Sequence, residues 1–169
     1  IQPVWDNMEK TSKSDSPLVG FSTGFRDLDN ITLGLQEGDL ILVAGRPSMG
    51  KTAFALSMAA NFIQNGLPVL FFSMEMSNRS IMYRLLSIIS KVDLKKLQQV
   101  KDLEQDDHRK IEEAASILNK SKLFIDDTSG LTPSEILSRA RRLKREHPEL
   151  ALIAIDYLQL MSSDTGNDN

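Results

Sequence analysis

One segment of the chain has the residue types and spacing of a phosphate-binding loop. Residues 45–52, GRPSMGKT, match the pattern G-x-x-x-x-G-K-[ST] and lie between an apolar run and a segment with helical periodicity. In such a loop the glycines permit backbone conformations and close approaches that a side chain would forbid. The loop amides and the start of the following helix then bind phosphate oxygens. The sequence therefore predicts a nucleotide site, because a chance match would not also be flanked by a strand and a helix.

The motif assigns a role to each of its positions. Lys51 is predicted to reach the β- and γ-phosphates and to take part in catalysis, and the Thr52 hydroxyl is predicted to ligate Mg²⁺. The expected ligand is therefore ATP, or another nucleoside triphosphate, together with Mg²⁺. The nucleotide-binding residues predicted from the motif and the helix after it are Gly45, Arg46, Pro47, Ser48, Met49, Gly50, Lys51, Thr52 and Ala53.

Two carboxylates follow apolar runs and are candidates for the rest of the site. Asp156 ends the run LALIAID, and in a fold of this kind a second strand ending in Asp lies beside the phosphate loop and holds Mg²⁺. Glu75 follows the run PVLFFSM and is the candidate base that positions a water in line with the γ-phosphate. Tyr157 occupies the position where many ATPases place that base. The alternatives are a strand-capping aspartate and a solvated glutamate near a helix start.

The elements that would position these residues alternate between strands and helices. Strands are predicted at 40–45, 68–74, 122–127 and 150–156 from their apolar runs. Helices are predicted at 51–64, 78–90 and 132–147, with two more within 92–121. The helix after Thr132 has a strong start signal, with Pro133 at its first position and Glu135 completing a capping box. This alternation predicts an α/β fold with a parallel sheet between helices.

Composition limits the class of protein. The 169 residues are enough for one domain with a core, and the formal net charge of −3 argues mildly against a dedicated nucleic-acid coat. The absence of Cys excludes a disulfide framework and suits a reducing cytoplasm, which is the expected location. No apolar run reaches the roughly 18 residues that span a bilayer, so we expect no membrane association. The first ten residues, IQPVWDNMEK, include acidic side chains and lack a long apolar run, so they do not resemble a signal peptide.

Several further stretches make the pattern more specific than the loop alone. They are GFSTGFRDLD, GLQEGDLILVAGRPSMGKTAFAL, VLFFSMEMS, DDTSGLTPSEI, RARRLKREH and LIAIDYLQLM, which run from about residue 19 to 161. With these motifs the chain resembles the C-terminal motor domain of DnaB-type replicative DNA helicases. The resemblance implies a RecA-like P-loop NTPase fold with a mainly parallel sheet flanked by helices. It also implies a homo-hexameric ring that hydrolyses a nucleoside triphosphate with Mg²⁺, moves along single-stranded DNA and separates the duplex, with primase and a helicase loader as further candidate partners.

The resemblance also assigns roles to individual residues. Lys51 and Thr52 match the phosphate and metal residues, Glu75 matches the catalytic base, and Asp156 matches the carboxylate on the Mg²⁺ side. Arg84 matches a helix arginine that lies near the catalytic Glu and the phosphates in this family. The alternative for Arg84 is a solvated or ion-paired arginine on a helix.

The resemblance further implies that part of the motor is missing. Residues 1–17 match the end of the family's linker helix and a linker, and residues 18–169 match a partial RecA-like ATPase domain. The family's later strands carry a polar sensor, DNA-contacting loops and an arginine finger, all of which would lie beyond Asn169. We therefore expect a fragment that binds nucleotide and is inactive or weakly active alone.

Other functional classes share parts of this pattern. A RecA-like regulatory or recombination ATPase would have the same loop, Glu75 and Asp156 without unwinding DNA. A small-molecule kinase would need an acceptor region and an arginine-bearing lid, and neither is found in the sequence. The chain could also be a nucleotide-binding or interaction module only.

Two weaker signals have simpler interpretations. The segment 132–147 is crowded with basic residues, which could contact nucleic-acid phosphates. Ile136, Ala140 and Leu143 form an apolar face on the other side of the predicted helix, so we favour a solvated basic face. Asp126 and Asp127 precede a Ser-Gly turn, and turn chemistry is the favoured interpretation of this carboxylate pair.

Overall fold

The computed structural model describes residues 18–100 and 102–157. The chain forms two compact units that divide between Met49 and Gly50. The predicted linker helix and linker at 1–17 lie outside the described residues. Within the described ranges, no helix combines the length and the apolar character needed to cross a membrane.

The first unit contains a short helix that the sequence patterns did not predict. Helix α1 spans Arg26–Thr32, and Phe21 and Leu35 form an antiparallel bridge beside it. Asp29 is buried and accepts hydrogen bonds from the Ser22 hydroxyl at 2.6 Å and from the Thr23 amide at 2.8 Å. Burial opposes ionisation of Asp29, but these hydrogen bonds outweigh it and hold the pKa of Asp29 below its usual value.

The predicted strand at 40–45 is wrong for this structure. These residues form no strand, and their apolar side chains are exposed, Leu40 at 86% and Leu42 at 70%. A strand exists only where its backbone N–H and C=O groups pair with a neighbour, and in the described residues this segment has no pairing strand. An apolar run indicates a tendency to be buried, but it does not specify the partner that buries it.

Within residues 50–100 and 102–157, the second unit is built on a sheet of three parallel strands. The strands β1 (Val69–Ser73), β2 (Leu123–Asp126) and β3 (Leu152–Asp156) lie in the order β2-β1-β3. The central strand β1 is buried along its whole length, as expected for an apolar strand that helices cover on both faces. The parallel sheet predicted from the sequence is therefore confirmed.

In the described part of this unit, five helices accompany the sheet, close to their predicted positions. They are α2 (Lys51–Gln64), α3 (Asn78–Ser90), α4 (Leu94–Gln99), α5 (Gln105–Lys120) and α6 (Pro133–Glu146). The predicted capping box of α6 is confirmed: the Glu135 amide donates to the Thr132 hydroxyl at 3.3 Å, and the Thr132 amide donates to the Glu135 carboxylate at 2.8 Å. Such reciprocal bonds satisfy two backbone donors that a helix start otherwise leaves unpaired.

One apolar cluster of the core lies between the sheet and α6. Leu70 and Phe72 share one side of β1, because side chains alternate along a strand, and Met74 follows the end of β1. They form one buried cluster with Ile136 and Ala140 of α6. Helix α2 also contacts β1 and β3. The sheet thus holds the start of α2 and the ends of β1 and β3 in a fixed arrangement.

Candidate nucleotide site

The carboxyl ends of β1 and β3 lie side by side. Ser73 is the register partner of Asp156, and the Met74 amide donates a hydrogen bond to the Asp156 carbonyl at 2.9 Å. Asp156 is the last residue of β3, and Glu75 lies two residues beyond the end of β1. Both predicted carboxylates therefore lie at the carboxyl-terminal end of the sheet, where ligands bind in open α/β folds.

A hydrogen bond between side chains joins the start of α2 to the carboxyl-terminal end of β3. The Thr52 hydroxyl donates to Asp156 Oδ2 at 2.8 Å, joining residues that are 104 positions apart. The Asp156 side chain is buried, and Thr52 lies in the first turn of α2. Hydroxyl and carboxylate oxygens are hard ligands, the type that Mg²⁺ prefers, so this pair fits the predicted divalent cation.

The N-terminus of α2 is suited to an anion. Gly50 caps the helix with φ +89°, a left-handed conformation that glycine adopts without strain, and its carbonyl accepts the Phe54 amide at 2.9 Å. The first turn of α2 contains no acidic residue. Lys51 and Thr52 are half-buried there, and Ala53 is exposed. The helix therefore presents its N-terminal N–H groups and the positive end of its dipole without a competing carboxylate in its first turn.

The rest of the predicted loop lies in the first unit. There, residues 46–49 form a turn in which the Met49 amide donates to the Arg46 carbonyl at 3.3 Å. Pro47 and Ser48 occupy the middle of this turn, and Ser48 has φ +65°. Gly45 does not have a positive φ. The nucleotide-binding roles of these five residues stay predictions.

Glu75 lies in a compact turn after β1. The Ser73 hydroxyl donates to the Met76 carbonyl at 2.8 Å, and the Met76 amide donates back to the Ser73 hydroxyl at 3.3 Å. This closed loop fixes the backbone around Glu75 and leaves its side chain exposed. Arg84 is half-buried in the middle of α3, and in the described residues no hydrogen bond or ion pair joins it to Glu75. The base role of Glu75 and the phosphate role of Arg84 stay predictions.

The sequence patterns did not predict the ion pair between Arg139 and Asp126. Arg139 donates to Asp126 Oδ2 at 2.6 Å and to the Thr128 hydroxyl at 3.0 Å, so Arg139 is not simply part of a solvated face. Asp126 also accepts the Thr128 amide at 3.1 Å, as the turn interpretation predicted. Partial burial opposes ionisation of Asp126, but the bonds from Arg139 and Thr128 prevail and keep its pKa below the usual value. No local signal connects residues 13 positions apart on a strand and a helix.

Comparison with known proteins places the chain in a family. The family model for the DnaB-like helicase C terminal domain matches residues 20–169. The chain is 48% identical to the replicative DNA helicase DnaB of Pasteurella multocida, covering 100% of this chain and 37% of that protein. It is 45% identical to the corresponding Haemophilus influenzae helicase, covering 93% of this chain and 34% of that protein. The chain thus spans about a third of the length of the curated relatives it matches.

Solved structures agree with these relatives. One of them, an ATPase domain, superposes with a TM-score of 0.85 at 32% identity, over 99% of this chain and 60% of that one. A DnaB-like replicative helicase, described together with its interactions with primase, gives a TM-score of 0.84 at 32% identity, over 98% of this chain and 41% of that one. These folds confirm the RecA-like α/β expectation. On the family match and the identities together, the chain belongs to the DnaB-like helicase C-terminal domain family.

Proposed function

We propose that this chain is the nucleotide-hydrolysing part of a replicative DNA helicase. In the complete protein, hydrolysis of a nucleoside triphosphate with Mg²⁺ would drive movement along single-stranded DNA and unwinding by a hexameric ring. The observation that carries the proposal is the 2.8 Å hydrogen bond between Thr52 and Asp156. It brings the helix after the phosphate-loop motif to a carboxylate at a strand end, as nucleotide hydrolysis requires. The replicative DNA helicases among its relatives support the coupling to DNA.

The proposed mechanism assigns one task to each group. Lys51 holds the β- and γ-phosphates, and the N-terminal amides of α2 bind their oxygens. Thr52 and Asp156 would hold Mg²⁺, and the bound ion would neutralise charge on the phosphate oxygens. Glu75 accepts a proton from the attacking water and aligns it with the γ-phosphate. Arg84 adds positive charge near the same phosphates.

Ring assembly and partner binding are further parts of the proposal. A helicase similar to this chain has been described with primase, which supports primase as a partner. The proposal that a helicase loader is also a partner rests on the family resemblance alone. A protein with these partners would act in the cytoplasm, where the replicating chromosome of a bacterium lies.

The test is ATP turnover by this chain extended to the length of its relatives, with and without single-stranded DNA. We expect a ring-sized assembly whose turnover rises strongly when the DNA is added and stops when EDTA removes Mg²⁺. A turnover rate that is the same with and without DNA would contradict the proposed DNA motor and favour a RecA-like regulatory or recombination ATPase. Unchanged turnover in EDTA would contradict the metal assignment instead.

A further inference from the structure

The outer side of β2 borders a groove that the proposed function does not use. This β2 groove has a volume of about 480 Å³ and lies between the sheet and α6. Phe124 and Leu143 contribute apolar surface to it, and Asp127 and Arg142 contribute charge. Such a mixture of apolar surface and a few charged groups is typical of ligand-binding clefts.

The strand that borders the groove has an open edge. In the order β2-β1-β3, β2 has one neighbour in the described part of the chain. The Val69 amide donates to the Lys122 carbonyl at 3.0 Å, so the backbone groups of Lys122 face β1. In a parallel ladder, successive residues of a strand direct their backbone groups alternately toward one neighbour and away from it. By that alternation, the backbone groups of Leu123 and Ile125 face away from β1. They are therefore available to pair with an added strand, and Ile125 also lines the groove.

Helix α6 contributes positively charged side chains to one side of the groove. The basic residues of α6 are Arg139, Arg141, Arg142, Lys144 and Arg145, and its acidic residues are Glu135 and Glu146. At the groove, Arg139 is already paired with Asp126. Arg142 lines the groove, and among the described residues it has no ion-pair partner. A bound carboxylate would therefore find its counter-charge at Arg142.

We propose that the β2 groove binds an extended acidic peptide segment of a partner protein. The peptide backbone pairs with Leu123 and Ile125 as an added strand, one apolar side chain enters the groove, and one carboxylate pairs with Arg142. A nucleic acid fits less well, because its phosphates would meet the carboxylates of Asp126 and Asp127 in the same groove. A peptide avoids this conflict, since its backbone is neutral and its acids can be placed at Arg142 alone.

The experiment uses this chain and a set of fluorescein-labelled peptides. Each peptide alternates valine and threonine, carries one central apolar residue that varies across the set, and ends in two aspartates. We expect saturable binding in fluorescence anisotropy, and Arg142→Glu should weaken it at least about tenfold through loss of a charge-assisted bond. The matched control is Arg145→Glu, on the same helix but outside the groove, which should bind like wild type. Peptides methylated on their backbone nitrogens should not bind.

A second readout covers the possibility that Arg142→Glu disturbs folding. Hydrogen exchange of wild type should slow at the amides of Leu123 and Ile125 when the peptide binds, because only strand addition protects these outward groups. Absence of saturable binding by every peptide in the set would overturn the proposal. Equal losses from Arg142→Glu and Arg145→Glu, or binding without protection of β2, would overturn it too. Displacement of the peptide by single-stranded oligonucleotide in an Arg142-dependent manner would show a nucleic-acid site instead.

Discussion

The Thr52 hydroxyl donates a hydrogen bond of 2.8 Å to Oδ2 of Asp156 and so connects the first turn of α2 to the end of β3. Asp156 is only 5% exposed, which means that its carboxylate depends on protein partners for part of its solvation. The same two oxygens are the proposed ligands on the Mg²⁺ side. One bond thus serves both the fold and the proposed chemistry.

Replacing Thr52 with valine tests both functions of this bond. Thr52→Val keeps the shape of the side chain but removes the donor, and we expect a loss of about 1–3 kcal/mol in the free energy of unfolding without ligand. We also expect the part of ATP stabilisation that depends on Mg²⁺ to disappear. Urea unfolding with ATP, in Mg²⁺ and in EDTA, measures both. The control is Thr32→Val, whose hydroxyl donates to the Leu28 carbonyl on an exposed helix. A retained Mg²⁺ effect in Thr52→Val would contradict the metal assignment.

Gly50 and Gly38 form a matched pair for testing the helix start. Their φ values are +89° and +88°, and a Cβ atom on either would meet nothing within 4 Å. Substitution by alanine should therefore strain each backbone similarly, by about 1–2 kcal/mol, without a steric clash. Only Gly50→Ala should reduce the stabilisation by Mg-ATP, because only Gly50 precedes the proposed phosphate-binding amides. Urea unfolding with and without Mg-ATP measures this difference. Equal ATP stabilisation of the two variants would argue against a phosphate site at α2.

The sequence predicted those elements whose signals are local. The capping box at Thr132 and Glu135 and the apolar run of β1 determine their own structure, and both were found where expected. Helix α1 was missed because its seven residues carry no apolar period long enough to recognise. The strand predicted at 40–45 failed because pairing depends on a neighbour that the run itself does not encode.

Parts of the candidate site and its surroundings could also be predicted from the sequence, and other parts could not. The motif and the two strand-end carboxylates could be read from the chain, and the position of Thr52 beside Asp156 follows once the fold is known. The Arg139–Asp126 pair could not be predicted, since only the packing of α6 on the sheet brings these residues together. Tertiary contacts between distant residues leave no periodic trace in a single sequence.

Asp29 should make the stability of the chain depend on pH. Its pKa is lower in the folded chain than its ordinary value of about 4, so its ionised form stabilises the fold at neutral pH. This contribution is lost as the pH falls below about 4 and through the folded pKa. Asp29→Asn should therefore be less stable than wild type at pH 7, and the gap should narrow as the solution is acidified. Urea unfolding followed by circular dichroism between pH 7 and 3 checks this. A gap that is constant with pH would show that the charge of Asp29 is not what stabilises the loop.

Glu75 is expected to act in hydrolysis and not in binding. In the protein extended to the length of its relatives, Glu75→Gln should bind Mg-ATP with nearly wild-type affinity, because the neutral amide has almost the same shape. Turnover should fall by about a hundredfold or more, since general-base catalysis contributes roughly that factor. Nucleotide binding and steady-state hydrolysis, measured on the same preparation, separate the two effects. Glu112→Gln, an exposed glutamate of α5, is the control. Wild-type turnover in Glu75→Gln would remove Glu75 from the base role.

The most direct test of the central claim is the thermal stability of wild type and Lys51→Ala with and without Mg-ATP. At a ligand concentration about 100 times the dissociation constant, binding should stabilise wild type by about 2.7 kcal/mol. Lys51→Ala should show almost no stabilisation, whereas Lys95→Ala, an exposed lysine of α4, should behave as wild type. That result would establish α2 and its loop as the nucleotide site. Equal melting shifts for wild type and Lys51→Ala would contradict it.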